Sequence, residues 1–226
     1  PHLSPPRWQH VNLNIPASEL ELALRFYVDG LGGVVNPKTT NHRQLHVNVG
    51  ASQFHLLHRI SVSGLEPVEV PQRWHGSMEL LTLDPVEDVM ARLSTQLDSQ
   101  HDEKSCSAVS ARCWRAELCA DGALLATCPW GNEYVLRQAS ESFAVVGCHA
   151  GGCGSLVGMQ CVRHLVRAGA ARVLCAFWRS VLGCAASLRR RAEADECVVA
   201  FESGQELCAP HSMSACGMHT CVRNHV

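Results

Sequence analysis

The first sixty residues alternate between strand-like and helix-like patterns of apolar positions. Residues 8–15 place apolar and β-branched side chains at alternate positions around His10, which predicts a β-strand. Residues 18–27 carry an apolar stripe at helical spacing behind a serine cap, and a group of glycines ends this predicted helix. Short apolar runs predict three further strands, at 34–35, 44–49 and 52–57. The predicted order of elements is therefore βαβββ.

The same order recurs in the next part of the chain. Residues 78–83 predict a strand, and residues 86–97 predict an amphipathic helix. Three more strands are predicted at 114–118, 123–127 and 133–138. Residues 76–138 are therefore predicted to form a second βαβββ module.

The chain also contains an internal repeat. Residues 26–33 align without a gap with residues 177–184, and in both segments a pair of aromatic residues precedes Leu-Gly. With a small gap upstream, His10 falls opposite His164. The repeat predicts a third βαβββ module over residues 157–210.

These modules imply a division into domains. We expect a first domain over residues 1–140, built from modules at 8–60 and 76–138. Residues 141–156 are rich in glycine and are predicted to form a linker without fixed docking. Residues 157–226 are then expected to form an incomplete second domain.

Composition limits the function classes. The 226 residues are 46% hydrophobic and 18% charged, which is typical of a globular protein. The net charge of −2 leaves no electrostatic footprint for nucleic acid or a membrane surface, and the one basic cluster, at 189–191, is interpreted as a solvated edge. No apolar run reaches the roughly 20 residues of a membrane span, and no secretory leader is seen, so a cytoplasmic location is expected.

Thirteen cysteines need an explanation. Their odd number and mostly apolar settings favour reduced, buried thiols. The pairs Cys148 with Cys153 and Cys216 with Cys221 lie near histidines and resemble a zinc cage, but their spacing differs from the usual zinc knuckle. Most of the cysteines are therefore expected to be unpaired.

Several features occur in an order that resembles a known superfamily. They are His10 in the first strand, an aromatic pair before Leu31-Gly32, His55 in the fourth strand, and the turn at 128–132 (CPWGN), which is similar to Asp-Pro-x-Gly-Asn. Together they resemble the vicinal-oxygen-chelate superfamily of glyoxalases, bleomycin-resistance proteins and ring-cleaving dioxygenases. The resemblance implies an α+β fold of paired βαβββ modules. Two modules would form one half-barrel cleft, followed by a third module and a truncated fourth.

The resemblance also implies positions for metal ligands. Metal enzymes of the superfamily take a ligand, generally His or Glu, from the first and last strands of each module in a pair. Such ligands suit zinc, iron, nickel or manganese. In the first pair the matching positions are His10, His55, 77–78 and Val135, and only the two histidines bind such ions. A one-residue shift in register would add Glu79 or His75. A metal-free cleft lined by these histidines is the alternative.

The second copy offers a better ligand set. His164 and Glu206 occupy the matching positions, and residues 217–222 look like the opening strand of a fourth module that contains His219. His164, Glu206 and His219 resemble part of the set of a glyoxalase or a dioxygenase, with the fourth ligand expected beyond Val226. Glu206 is also the candidate catalytic group, because it is the ligand closest to proton chemistry.

Two functions follow from the resemblance. The first is a divalent-metal lyase or dioxygenase acting on a small molecule with two vicinal oxygens. The second is a metal-free module that binds a small molecule in an aromatic cleft, lined by Trp8, Phe54, Trp74 and Trp130. A module without a partner exposes one face of its sheet, so self-association through residues 157–226 is also expected.

Overall fold

The computed structural model describes residues 9–58, 71–102, 113–140, 150–190, 195–201 and 205–210, with the side chains of 98–102 left out. It is a mixed α+β structure with two separate sheets. None of the helices in these ranges has the length and apolar character needed to cross a membrane. The proposed site residue His219, the fourth-module strand and Trp8 all lie outside the described residues.

The first module forms a four-stranded sheet. Its elements are β1 (His10–Asn14), α1 (Leu20–Leu24), β2 (Val34–Val35), β3 (Gln44–Val49) and β4 (Ser52–Leu57). A 3-10 turn precedes α1, and a π-helical turn at Arg25–Gly30 extends it. The strand order is β1-β4-β3-β2, and β1 and β4 run parallel. The strands predicted at 34–35, 44–49 and 52–57 are confirmed with the same bounds.

The remaining elements share one eight-stranded sheet. They are β5 (Ser77–Thr82), α2 (Val86–Asp102), β6 (Arg115–Leu118), β7 (Leu124–Thr127), β8 (Glu133–Gln138), β9 (Leu156–Arg163), α3 (Ala170–Ser180), β10 (Ala186–Arg190), β11 (Asp195–Ala200) and β12 (Glu206–Ala209). The strand order is β10-β11-β12-β9-β5-β8-β7-β6. The sheet therefore contains two βαβββ units. The first runs from β5 to β8, the second runs from β9 to β12, and the pairing of β5 with β9 joins them.

This joining differs from the expected pairing of modules. We expected the first and second modules to share one cleft and the third to lack a partner. Instead, β5 and β9 pair antiparallel, with Met78 opposite Val162 and Glu79 opposite Cys161. The pairing satisfies backbone groups that each four-stranded unit would otherwise leave open at its edge. The third module therefore has a partner within the chain, and that partner is the second module.

One apolar core unites the first module with the eight-stranded sheet. Phe26, Tyr27 and Phe54 pack with Tyr134, and the hydroxyls of Tyr27 and Tyr134 lie 2.6 Å apart. Phe54 and Trp130 are part of this buried core, so they do not line a ligand cleft as expected. Strand alternation explains the error for Phe54, because its neighbour His55 occupies the opposite face of the sheet.

The turn at 128–132 anchors the strand that follows the first module. The backbone N–H of Cys128 donates to the carbonyl of Asn132, and Gly131 takes a φ of +86°. The buried Asn132 side chain accepts a hydrogen bond from the N–H of Trp74 at 2.6 Å and donates to the carbonyl of Gln72. The turn is therefore a structural clamp that fixes the approach to β5.

The described part of the predicted linker docks on the first module. Nδ2 of Asn48 donates to the carbonyls of Ala150 and Gly152, at 3.0 Å each. The turn glycine Gly50 approaches β9 so closely that a Cβ atom there would lie 1.8 Å from the carbonyl oxygen of Val157. This fixed docking corrects the expectation of a free linker.

The cysteines of the described ranges are mostly thiols. Eight carry no disulfide: Cys113, Cys119, Cys128, Cys161, Cys175, Cys184, Cys197 and Cys208. Cys153 is disulfide-bonded. In the sequence analysis, Cys153 and Cys148 were one of the two cysteine pairs that resemble a zinc site.

Candidate functional site

The eight-stranded sheet has one apolar face and one polar face. The side chains of Met78, Leu80 and Tyr134 are buried in the core that α2 covers, and Cys197 and Val199 pack in a second cluster under α3. Because neighbouring residues of a strand point to opposite faces, alternate residues form the other face. We call this second surface the polar face. It carries Glu79, Arg137, Cys161, Arg163, Arg189, Glu196, Glu206 and Cys208.

An ion-pair network crosses the polar face. Arg137 contacts Glu79 at 3.4 Å and Asp121 at 2.8 Å. Arg163 contacts Glu79 and Glu196, at 3.5 Å each. The described network is completed by Arg189, which contacts Glu196 at 3.9 Å and Glu206 at 3.2 Å. Three guanidinium groups therefore face four carboxylates, which leaves one negative charge unbalanced.

Four strand positions lie in one row at the centre of this face. In the register of the sheet, Val135 pairs with Glu79, Glu79 pairs with Cys161, and Cys161 pairs with Glu206. The row takes one residue from the first and one from the last strand of each of the two joined modules. These are the positions at which the superfamily resemblance predicts metal ligands, and here two carboxylates and a thiol occupy them.

Ligand atoms gather at the end of this row formed by β9 and β12. One ligand atom from each of Cys161, Glu206 and Cys208 lies within 4.8 Å of the other two, and no other group of three such residues was found among the described residues. The two sulfur atoms are 3.3 Å apart, and Sγ of Cys208 is 3.7 Å from Oε2 of Glu206. Both thiols are buried, whereas Glu206 reaches the surface.

The cluster has its own electrostatics. A hydrogen bond with the Cys161 thiol, together with burial, raises the pKa of the Cys208 thiol far above its usual value. Arg189 donates to both carboxylate oxygens of Glu206, at 3.2 and 3.4 Å, and so fixes the orientation of that carboxylate. A metal ion bound here would displace the thiol proton of Cys208, because the thiolate is the metal-binding form.

The dimensions of the cluster fit a tetrahedral ion. With Zn–S bonds of about 2.3 Å, two thiolates on one tetrahedral zinc lie roughly 3.8 Å apart, and a thiolate and a carboxylate oxygen lie roughly 3.6 Å apart. The observed separations of 3.3 and 3.7 Å differ from these values by half an ångström or less. Three protein ligands of this type leave a fourth position for water or substrate, as in catalytic zinc sites.

The histidines of the first module form a different arrangement. His10, His55 and His46 stack as three nearly parallel rings across β1, β4 and β3, with centroids 4.3 and 3.9 Å apart. His10 and His55 thus occupy the face of the first sheet opposite the core. Ring nitrogens direct their lone pairs within the ring plane, so stacked rings direct them in parallel planes and not toward one shared ion. Metal binding by His10 and His55 stays a prediction.

His46 is the buried member of this stack. Neither of its ring nitrogens has a hydrogen-bond partner among the described residues. Burial lowers its pKa, and the neighbouring His10 lowers it further. Beside the stack, a polar chain runs from His55 through Gln53 to Asn48, and it ends on the segment at 150–152.

The second predicted ligand set is only partly brought together. Glu206 lies in the cluster, but its neighbours there are Cys161 and Cys208. His164 follows the end of β9, where its ring packs against Trp74 at 5.2 Å and its backbone N–H donates to the carbonyl of Cys208. The matching row position is Cys161, three residues earlier, because β9 ends at Arg163.

The sequence analysis missed Cys161 and Cys208 as candidate metal ligands. Cys161 alternates with Arg163 on β9, and Glu206 alternates with Cys208 on β12. Each pair puts two polar side chains on one face of a strand, which is an informative pattern. The general interpretation of the cysteines as buried thiols concealed this signal.

The fold and the site define a glyoxalase-like α+β protein with a polar face of carboxylates, thiols and arginines. Two solved structures of glyoxalase I from Zea mays are similar to this chain. One has a TM-score of 0.55 at 12% identity and aligns with 95% of this chain and 70% of its own. Another has a TM-score of 0.52 at 11% identity, covering 92% and 68%.

These similarities confirm the predicted α+β, glyoxalase-like fold. At this level of identity they show the fold alone. By sequence, the chain matches no protein family and no curated protein.

Proposed function

We propose that this protein binds one divalent metal ion through Cys161, Glu206 and Cys208 and uses it to act on a small molecule. The observation that carries the proposal is the convergence of these three ligand atoms within 4.8 Å, at one end of the row where the superfamily resemblance implies metal ligands. Two thiolates with one carboxylate suit zinc better than calcium or magnesium, which prefer oxygen ligands. The ion supplies a Lewis acid that polarises substrate oxygens.

The charge of the polar face supports a cation. The described ion-pair network has one more carboxylate than guanidinium groups. A bound cation would offset this excess, whereas a bound anion would increase it. Glu206 would hold the ion, with Arg189 fixing its carboxylate, and Glu206 remains the candidate group for moving a proton.

The proposed substrate class follows from the neighbours of the site. Glu79 lies opposite Cys161 on the adjacent strand β5, and Arg163 lies two residues further along β9; together they present paired charges beside the proposed ion. A small molecule with two adjacent oxygens would be held by the ion together with hydrogen bonds donated by Arg163. Lyase chemistry is the better match, because zinc has no redox chemistry of its own.

Metal stoichiometry tests the proposal. The full chain, reduced and dialysed against zinc, is expected to bind one ion per chain more tightly than the Cys161→Ala and Glu206→Gln variants, by about tenfold or more. Cys175→Ala serves as the matched control, because Cys175 is also a buried thiol but lies on the buried side of α3, in the second apolar cluster. Equal affinity of wild type and all three variants would reject this site.

A metal-free binding module is the second candidate function. One observation favours it: Glu79 already has two guanidinium partners, and Val135 holds no ligand in the row. In that case Arg137, Arg163 and Arg189 would hold a polar small molecule directly. If the zinc-free protein binds small molecules with the same affinity in the presence and absence of a chelator, that result would favour this function over the first.

Other parts of the earlier interpretation remain proposals. They are metal binding by His10, His55, His164 and His219, a cytoplasmic location, the domain division at 141–156, and self-association through the second half. Iron, nickel or manganese in place of zinc is expected to bind less tightly, because two thiolates favour the softer ion.

A further inference from the structure

We propose that Cys161 and Cys208 form a redox pair whose disulfide closes the metal site. This inference rests on the proposed function, because it describes the regulation of that site. The two thiols lie on the neighbouring strands β12 and β9, on the same face, with their sulfur atoms 3.3 Å apart. A disulfide requires the sulfur atoms to approach by only about 1.2 Å.

Zinc binding by the two thiolates and a disulfide between them exclude each other. A bound zinc ion takes a lone pair from each thiolate, and a disulfide has no thiolate to offer. After oxidation the cluster keeps one ligand, the carboxylate of Glu206, which is already paired with Arg189. Metal occupancy should therefore disappear on oxidation and return on reduction, while bound metal should protect the two thiols.

A hydroperoxide is the oxidant that fits the site. Both thiols are buried, so a small oxidant reaches them more readily than a bulky disulfide does. One thiolate attacks a peroxide oxygen, the O–O bond breaks, and a sulfenic acid and hydroxide form. The second thiol sulfur then attacks the sulfenic sulfur, and its proton leaves with the sulfenic hydroxyl as water. Two thiols and one hydrogen peroxide give one disulfide and two waters.

The position of the pair separates it from the other buried thiols. Cys175 and Cys197 lie in an apolar cluster with Ala171 and Val199, between α3 and β11. Cys161 and Cys208 lie on the polar face beside the partly exposed Glu206. Cys175→Ala is therefore a control that removes a buried thiol without changing the proposed pair.

The experiment treats the reduced, metal-free full chain with one equivalent of hydrogen peroxide and maps its peptides without reductant. We expect a crosslinked peptide that joins Cys161 to Cys208, a loss of two hydrogen atoms in mass, and zinc binding that falls at least about tenfold and returns with dithiothreitol. Cys175→Ala should behave as wild type, and Cys208→Ala should form no such link. Zinc added before the peroxide should block the link.

Failure of the switch and failure of the proposed function give different results. Reduced protein that binds zinc but forms no Cys161–Cys208 link overturns the switch alone. A linked protein that binds zinc as tightly as the reduced protein would also overturn the switch alone. Reduced protein that binds no zinc overturns the proposed function, and the gating of metal with it, whether or not the link forms.

Discussion

At the residue scale, the most unusual group is the stack of His10, His55 and His46. Strand alternation accounts for the shared face of His10 and His55, because one register fixes the side of every residue in a strand. The stacking itself could not be predicted, since it depends on the strand order β1-β4-β3, which places three distant residues side by side. His46 is buried there with both ring nitrogens unpartnered among the described residues.

The burial of His46 predicts a loss of stability in mild acid. Burial lowers the pKa of His46 in the folded state, so just below the ordinary value of about 6.5 the unfolded chain binds more protons than the folded one. Stability should therefore fall as the pH decreases through that window. Urea unfolding at about pH 7.5 and about pH 5 should show a smaller fall for His46→Leu than for wild type. His42→Leu, at an exposed position, is the control and should retain the full fall; an equal fall in all three proteins would exclude His46 as its source.

At the element scale, the sequence was a good guide to strands and a poor guide to their partners. Short apolar runs predicted β3 and β4 with their observed bounds, and β8 was predicted at 133–138, where it lies. The joining of β5 to β9 was missed because apolar periodicity records which face of a strand is buried and not which edge it pairs with. The same limit explains Arg189, which was interpreted as part of a solvated edge but pairs with Glu206 across the sheet.

The contact of Gly50 with β9 predicts a large effect of a small substitution. Gly50 has a φ of +59°, and an alanine Cβ there would lie 1.8 Å from the carbonyl oxygen of Val157. Gly50→Ala should cost about 2–5 kcal/mol of unfolding free energy, because backbone strain adds to a forced shift of β9. Gly122→Ala is the matched control, because Gly122 has a φ of +78° but a Cβ added there would meet no neighbouring atom within 4 Å. Denaturant unfolding should give the control a loss of only about 1 kcal/mol, and equal losses would show that the contact with Val157 is unimportant.

At the scale of the whole molecule, the third module repeats the first except in the covering of its helix. Phe26 and Leu31 of the first module are fully buried, and α2 packs against their helix, where Arg92 donates to the carbonyl of Gly30. The aligned residues of α3 and its end, Phe177 and Leu182, are 45% and 49% exposed. The repeat therefore preserves apolar residues on a surface that nothing among the described residues covers.

This exposed stripe predicts self-association. Val173, Phe177 and Val181 are four residues apart, so they lie along one side of α3, and an apolar stripe of this kind favours a symmetric contact between two copies. Sedimentation should show dimers whose dissociation constant rises about tenfold or more in Val181→Lys. Leu118→Lys changes another exposed apolar residue, on β6, and should leave association unchanged. A wild-type chain that remains monomeric at all concentrations would contradict this prediction.

The central claim is that Cys161, Cys208 and Glu206 together hold a metal ion. X-ray absorption of the protein loaded with one zinc ion tests this claim most directly, because it counts sulfur ligands. We predict two sulfur ligands at about 2.3 Å with oxygen ligands at about 2.0–2.2 Å, and the loss of one sulfur in Cys208→Ala. A zinc shell composed of nitrogen and oxygen alone would contradict the account and direct attention to the histidines of the first module.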